Sequence, residues 1–188
     1  MSFNNDSIVD PEELLSLDAM ALNQQGGLDL FLVVEAGGAA TDGEVARTFH
    51  DGKPHLGLLG YWVATLQVQQ GAHQRYRGAS IALNLLRVSD AATGSLFSLL
   101  NNGRTDLTVT VQVFRSGGQT ASTQLLPVIE LICSDARIKQ IALYTSPSAQ
   151  QPCEHLVVSF RALEVKTAQQ LANGQRGPVR SCTMTAAA

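Results

Sequence analysis

The sequence predicts a mainly β domain: an antiparallel β-barrel or sandwich with one internal helix and an extra N-terminal helix. Three observations carry this. Apolar and polar residues alternate in several short windows, the period of a strand with one buried face. Glycine-rich turns separate many of those windows. Only two windows combine helical apolar spacing with a helix start signal.

The first of these lies near the N-terminus. Residues 1–9 read as an arm. Asp10 can cap a helix, Pro11 suits its first position, and Glu13 completes the capping pattern. Leu14, Leu17 and Ala21 recur at helical spacing, with Leu15, Ala19 and Leu22 beside them, which predicts an amphipathic helix over 11–23. Asn23 to Gly27 then reads as a hinge. Residues 1–27 therefore form an N-terminal arm and helix, and 28–188 the main domain. The helix, through Leu14, Leu17 and Ala21, is expected either to cover its own barrel or to reach a neighbouring subunit or a partner.

Strands follow. Leu28–Glu35 is a compact apolar run ending at Gly37-Gly38, and residues 36–55 form a long polar, Gly-rich loop. Loops of such length within compact domains are commonly functional. Leu56–Gln70 reads as one long bent strand, with Tyr61 and Trp62 directed to opposite faces. Ser80–Val88 is another strand. The second helix spans 90–101, with Asp90 as its cap, Leu96, Leu99 and Leu100 on one face, and Gly103 just past its end. In Asp106–Arg115 the alternation is clearest: Leu107, Val109, Val111 and Val113 face one way, and Thr108, Thr110, Gln112 and Phe114 the other. A turn at 116–119 leads to Thr123–Ser134, Arg137–Thr145 and Glu154–Lys166, read as three strands, and a short last strand near Val179–Met184. The total is about seven to nine strands, with barrel closure expected to remove most open edges.

Composition limits the function. Charged residues make up 15% of the chain, against roughly 25% in ordinary soluble domains. A surface so poor in charge suits burial against further copies. A net charge of −3 gives no basic stripe for nucleic acid. Three widely spaced cysteines, Cys133, Cys153 and Cys182, read as free thiols. The N-terminal residues lack a signal-peptide pattern, and no apolar run is long enough to insert in a membrane, so export without a cleavable signal is expected.

The chemistry-bearing residues do not converge. The Gly37–Gly43 run lacks the Lys-Ser/Thr pair of a phosphate loop. His50 and His55 share a loop with Asp51, so a weak metal site is conceivable, but loop histidines without a third ordered ligand are more often solvated. Cys153 and His155 would point the same way along a strand, with no evident orienting acid. Arg75, Arg77 and Arg87 read as scattered rim or lumen charge. No catalytic, cofactor or metal site is expected, and the chain is read as a non-enzyme.

The order of these segments resembles the Hcp (haemolysin-coregulated protein) family of type VI secretion. Leu28–Glu35 resembles its opening strand, and Gly37–Glu44 the loop that follows. Leu58-Leu59-Gly60-Tyr61-Trp62 resembles its aromatic strand. Val88-Ser89-Asp90 before the helix 94–102, the strand Val109–Gly118, and Glu154–Phe160 with Gly177 beyond it are similar to later landmarks. The likeness covers 28–180. The N-terminal 27 residues have no counterpart, and a single Trp stands where the family often has two.

The resemblance implies a structural tube subunit. Such proteins form hexameric rings that stack into a hollow tube, which a sheath expels with a spike at its tip from a baseplate. Effector cargo can ride in the lumen. It implies assembly in the bacterial cytoplasm, then secretion. Ring closure needs heterologous side surfaces, and stacking needs complementary ends. The 36–55 loop is the stacking candidate, through Gly37, Gly38, Asp42, Glu44, Arg47, Asp51 and Lys53. Two alternatives stay open: a phage-tail-like or extracellular injection tube, and a stand-alone secreted protein on the same fold.

Overall fold

The computed structural model describes Ser16, Ala19 and residues 27–68, 77–115, 126–170 and 176–185. Ser16 and Ala19 are helical; the rest of the predicted helix 11–23, including Leu14, Leu17 and Ala21, lies outside the described residues, as does the turn at 116–119.

Ten strands and one helix make up the described domain. In chain order they are β1 (Leu28–Ala36), β2 (Ala39–Ala40), β3 (Leu56–Gly57), β4 (Gly60–Val68), β5 (Arg77–Val88), α1 (Ala92–Asn101), β6 (Leu107–Arg115), β7 (Ile129–Ser146), β8 (Gln151–Ser159), β9 (Ala162–Gln170) and β10 (Arg176–Thr185). All pairings are antiparallel, in the order β2-β1-β6-β7-β8-β5-β4, with β3 on β1, β9 on β7 and β10 on β9. The sheet folds over one core without closing. The expected mainly antiparallel barrel or sandwich is thus met by an open sheet: among the described residues β4 and β10 each keep one edge unpaired.

Two sheet-like halves meet along β7. Its first part pairs with β6 and β9, and its second with β8. The corner lies at Asp135, whose φ of 48° is left-handed; Asp tolerates that region better than most residues. Two predicted strands, Thr123–Ser134 and Arg137–Thr145, are thus one strand that bends. Conversely, Glu154–Lys166 is two strands, broken at Phe160-Arg161. Ser159 and Ala162 flank that break and pair with Arg137 and Ser134, so both ribbons turn at the same place.

The long strand predicted over Leu56–Gln70 is also two. β3 pairs with β1 in the first half, and β4 pairs with β5 in the second. Between them the Leu58 amide donates to Leu30 O and the Leu59 amide to Leu86 O, so the chain crosses between halves within two residues (3.0 and 2.8 Å).

The core takes alternate residues from both halves, among them Leu32, Val34, Leu83, Leu85, Val109, Val111, Leu131, Leu156 and Val158. Helix α1 caps one end of it through Ala92 and Leu96. Asp90 Oδ1 accepts from the Ala92 amide (2.8 Å), and the Asp90 amide donates to Thr93 Oγ1 (3.1 Å). This reciprocal arrangement satisfies donors that a helix start leaves open. Arg87 is no rim charge. It is fully buried on the core side, paired with buried Glu154 and with Asp90. The ion pair seats the start of α1 on the ends of β5 and β8.

Candidate functional site

The 36–55 loop is built in layers from its two ends. Gly37 (φ 59°) and Gly38 (φ 84°) make the two-residue turn between β1 and β2. Two consecutive positive φ values define the hairpin turn that glycine accommodates without steric cost. A side chain at Gly37 would approach Arg104 Nη2 at 3.8 Å. Arg104 itself forks onto Asp106 at 2.7 and 2.6 Å. That hydrogen bond holds the Asp106 carboxyl below its usual range. The hairpin tip and this ion pair thus share one end of the domain.

Next, the loop is tied to the helix start. Asp42 is exposed and accepts from the Gly43 amide (3.0 Å). Glu44 Oε1 receives the Ala91 amide at 3.3 Å, favoured by the positive end of the α1 dipole. Gly43 leaves no room for a side chain: a Cβ there would lie 2.5 Å from Leu56 Cδ2.

The second half of the loop folds onto the outer face of β1 and β6. Phe49, 5% exposed, packs edge-on to Phe31 (4.7 Å) and stacks on His55 (3.6 Å). Phe114 lies 5.7 Å from both Phe31 and Phe49. The Arg47 guanidinium sits 5.5–5.7 Å from all three phenyl rings and pairs with Asp29 (3.3 Å). Such cation–π contacts add modestly at exposed sites. His55 is buried, with Nε2 2.7 Å from Gln112 Oε1 and Nδ1 2.9 Å from Lys53 O. Gln112 in turn donates to Glu130 (3.2 Å). Asp51 accepts from the Lys53 amide and lies 3.6 Å from His55; Lys53 reaches Glu35 at 2.8 Å.

The loop is therefore ordered, and its charges have partners inside the subunit. Glu44, Arg47, Asp51 and Lys53 hold the loop in shape, while the Gly37–Ala40 tip, Asp42 and His50 face outward. The aromatic clamp was missed in the sequence. Its signal was present: Phe31 and Phe114 occupy the strand faces that alternation assigns to solvent, where a phenyl ring needs a cover.

The remaining chemical candidates do not converge. Among the described residues no group of three His, Cys, Asp or Glu is arranged to hold a metal. His155 lies beneath Trp62, its ring parallel within 5° and 5.2 Å away, and faces Asn84 Oδ1 at 3.1 Å. Burial pushes the His155 imidazole down to about 4. It pushes the Cys133 thiol up to about 12. Cys153 lies buried on the floor of a shallow cleft beside α1, lined also by Asp90, Thr93, Leu143 and Tyr144.

No family model and no curated protein matches the sequence. Solved structures do match the fold. Hcp1 from Salmonella typhimurium aligns over 85% of this chain and 94% of its own, with 16% identity and a TM-score of 0.64. The secreted protein Hcp3 from Pseudomonas aeruginosa aligns over 86% and 99%, with 12% identity and a TM-score of 0.58. A type VI secretion system effector from Yersinia pestis aligns over 82% and 98%, with 16% identity and a TM-score of 0.56. The fold of this chain is the Hcp fold, carried over most of its length.

Proposed function

We propose that this protein is a structural tube subunit of a contractile secretion system and not an enzyme. Its copies close into a hexameric ring, and rings stack into a hollow tube. A sheath surrounds that tube, a baseplate and spike organise its end, and effector cargo travels in its lumen. The subunit assembles in the bacterial cytoplasm and is then exported. The observation that carries this is the Hcp fold over more than four fifths of the chain. The unpaired edges of β4 and β10 support it, because open strands invite pairing with a further copy. A phage-tail-like or extracellular injection tube would use the same surfaces.

The stacking surface is the outward part of the 36–55 loop, held rigid by its own clamp. Gly37, Gly38 and Asp42 make the contact, and Glu44, Arg47, Asp51 and Lys53 shape it. A second reading has its own support: one protein of this fold is described as an effector. In that case the chain acts as a stand-alone secreted protein.

Light scattering over a range of concentrations, with electron microscopy of the same sample, separates the two. A six-copy ring that grows into tubes is expected; a monomer at every concentration would overturn the tube reading. Asp42→Arg is expected to leave rings intact and shorten tubes. Tubes of unchanged length would remove the loop from stacking.

A further inference from the structure

Both ring nitrogens of His55 face hydrogen-bond acceptors. Nδ1 lies 2.9 Å from Lys53 O, a carbonyl that cannot donate. Nε2 lies 2.7 Å from Gln112 Oε1 and 3.6 Å from Asp51 Oδ2. Glu130 fixes the orientation of the Gln112 amide. Gln112 Nε2 donates to Glu130 Oε1 (3.2 Å), and turning the amide over would set its carbonyl against that carboxylate. A neutral imidazole carries one N–H and one lone pair. In either tautomer the lone pair would meet an acceptor at hydrogen-bond distance. The residue is 1% exposed, and neither gap has room for a water. Only the doubly protonated ring satisfies both contacts.

We propose that the loop holds His55 as an imidazolium, and that its second proton locks residues 47–55 onto β1 and β6. A buried cation needs an opposite charge and satisfied donors. Asp51 supplies the charge from the same loop, its other oxygen held by the Lys53 amide (3.2 Å). Glu130 on β7 adds a second carboxylate behind Gln112. Phe49 lies flat on the ring (3.6 Å, 19°), and an aromatic face attracts a cation. The neighbouring charges are paired elsewhere: Arg47 with Asp29, Lys53 with Glu35, and Lys166, the register partner of Glu130, with Glu164. His50 is exposed. Loss of the second proton turns one contact repulsive. The loop is the side that yields, because Gln112 and Glu130 sit on paired strands. Phe49 then leaves with it, and Phe31 and Phe114 lose their cover. The folded loop binds the proton that the open loop releases, so closure weakens as the pH rises. This concerns the loop within one subunit and does not depend on ring or tube formation.

Two NMR readings on the full chain test it. Ring-nitrogen spectra count the protons on His55. Exchange of the Gly52 amide, which donates to Phe49 O (3.1 Å), reports whether the loop is closed. The amides of β6 correct for the pH dependence of exchange itself. While the loop is closed, both ring nitrogens should carry protons. On raising the pH, loss of the second proton should coincide with a rise in Gly52 exchange on the order of tenfold, as expected for losing a hydrogen bond to a charged group. Asp51→Asn keeps the shape and removes the countercharge, so ring and loop should both change at a lower pH than in wild type. A closed loop around a singly protonated ring would overturn the proposal. So would a second proton lost with no change at Gly52, or an Asp51→Asn protein that opens at the wild-type pH.

Discussion

His155 allows a sharp test, since its ring is held neutral by its surroundings. Burial lowers its pKa from 6.5 to about 4, and Nδ1 has no hydrogen-bond partner among the described residues. A proton there would add a charge with no acceptor. The unfolded chain takes up that proton near pH 6.5, and the folded chain does not until near pH 4. Between these values the unfolded state binds more protons, so stability must fall as the pH falls. At ~1.4 kcal/mol per pKa unit, the loss over the whole window is about 3 kcal/mol. Carboxylates titrate in the lower part of the same range, so the comparison is between wild type and His155→Phe. The phenyl ring keeps the stack on Trp62 and cannot titrate. It removes the His155 partner of Asn84 Oδ1, a fixed cost of about 1–3 kcal/mol that does not vary with pH. The assay is urea unfolding followed by Trp62 fluorescence at intervals from pH 7.5 to 4. Wild type should lose about 3 kcal/mol more than the variant across that span. Two curves that fall in parallel would refute the reasoning: His155 would then be accepting its proton in the native state.

Further outcomes follow from other sites. Gly43→Ala should destabilise by about 1–3 kcal/mol in urea melts, because the new methyl meets Leu56, which is fully buried and cannot yield. Arg87→Ala should cost about 3–5 kcal/mol by stranding the Glu154 carboxylate, whereas Arg87→Met with Glu154→Leu should restore most of it. Thiol titration of the native protein should show one fast-reacting cysteine, Cys182; Cys133 and Cys153 are fully buried and should react only on unfolding.

The strand content and both core-facing patterns were legible from alternation, because one face of each strand is apolar whatever its partners. Strand continuity was not. Ser134-Asp135 carries the composition of a turn, yet in β7 it makes a corner, since β6 and β9 on one side and β8 on the other hold the chain extended through it. Phe160-Arg161 carries no turn residue, yet it separates β8 from β9. Local composition reports what the backbone tolerates, and pairing decides which option is used. The loop shows the same limit. Its length marked it as special, but its charges read as free until Asp29, Glu35 and the start of α1, all distant in sequence, were found beside them. Arg87 misled for a related reason, as a buried charge is recognisable only once its partner is placed.

The strand order also sets a timetable for synthesis. β6 to β10 are neighbours in the chain that can pair soon after they emerge, whereas β1, apart from its short pairings with β2 and β3, must wait for β6. Leu28 pairs with Arg115 and Ala36 with Leu107. At ~5–20 residues per second, the edge of β1 that β6 will cover stays unpaired for on the order of ten seconds. That strand reads Leu-Asp-Leu-Phe-Leu-Val-Val-Glu-Ala, an apolar segment of the kind that aggregates when its edges are bare. The nascent chain is therefore most vulnerable before residue 115 leaves the ribosome, and a chaperone that delays release should raise the yield of folded protein most when it binds within residues 28–36.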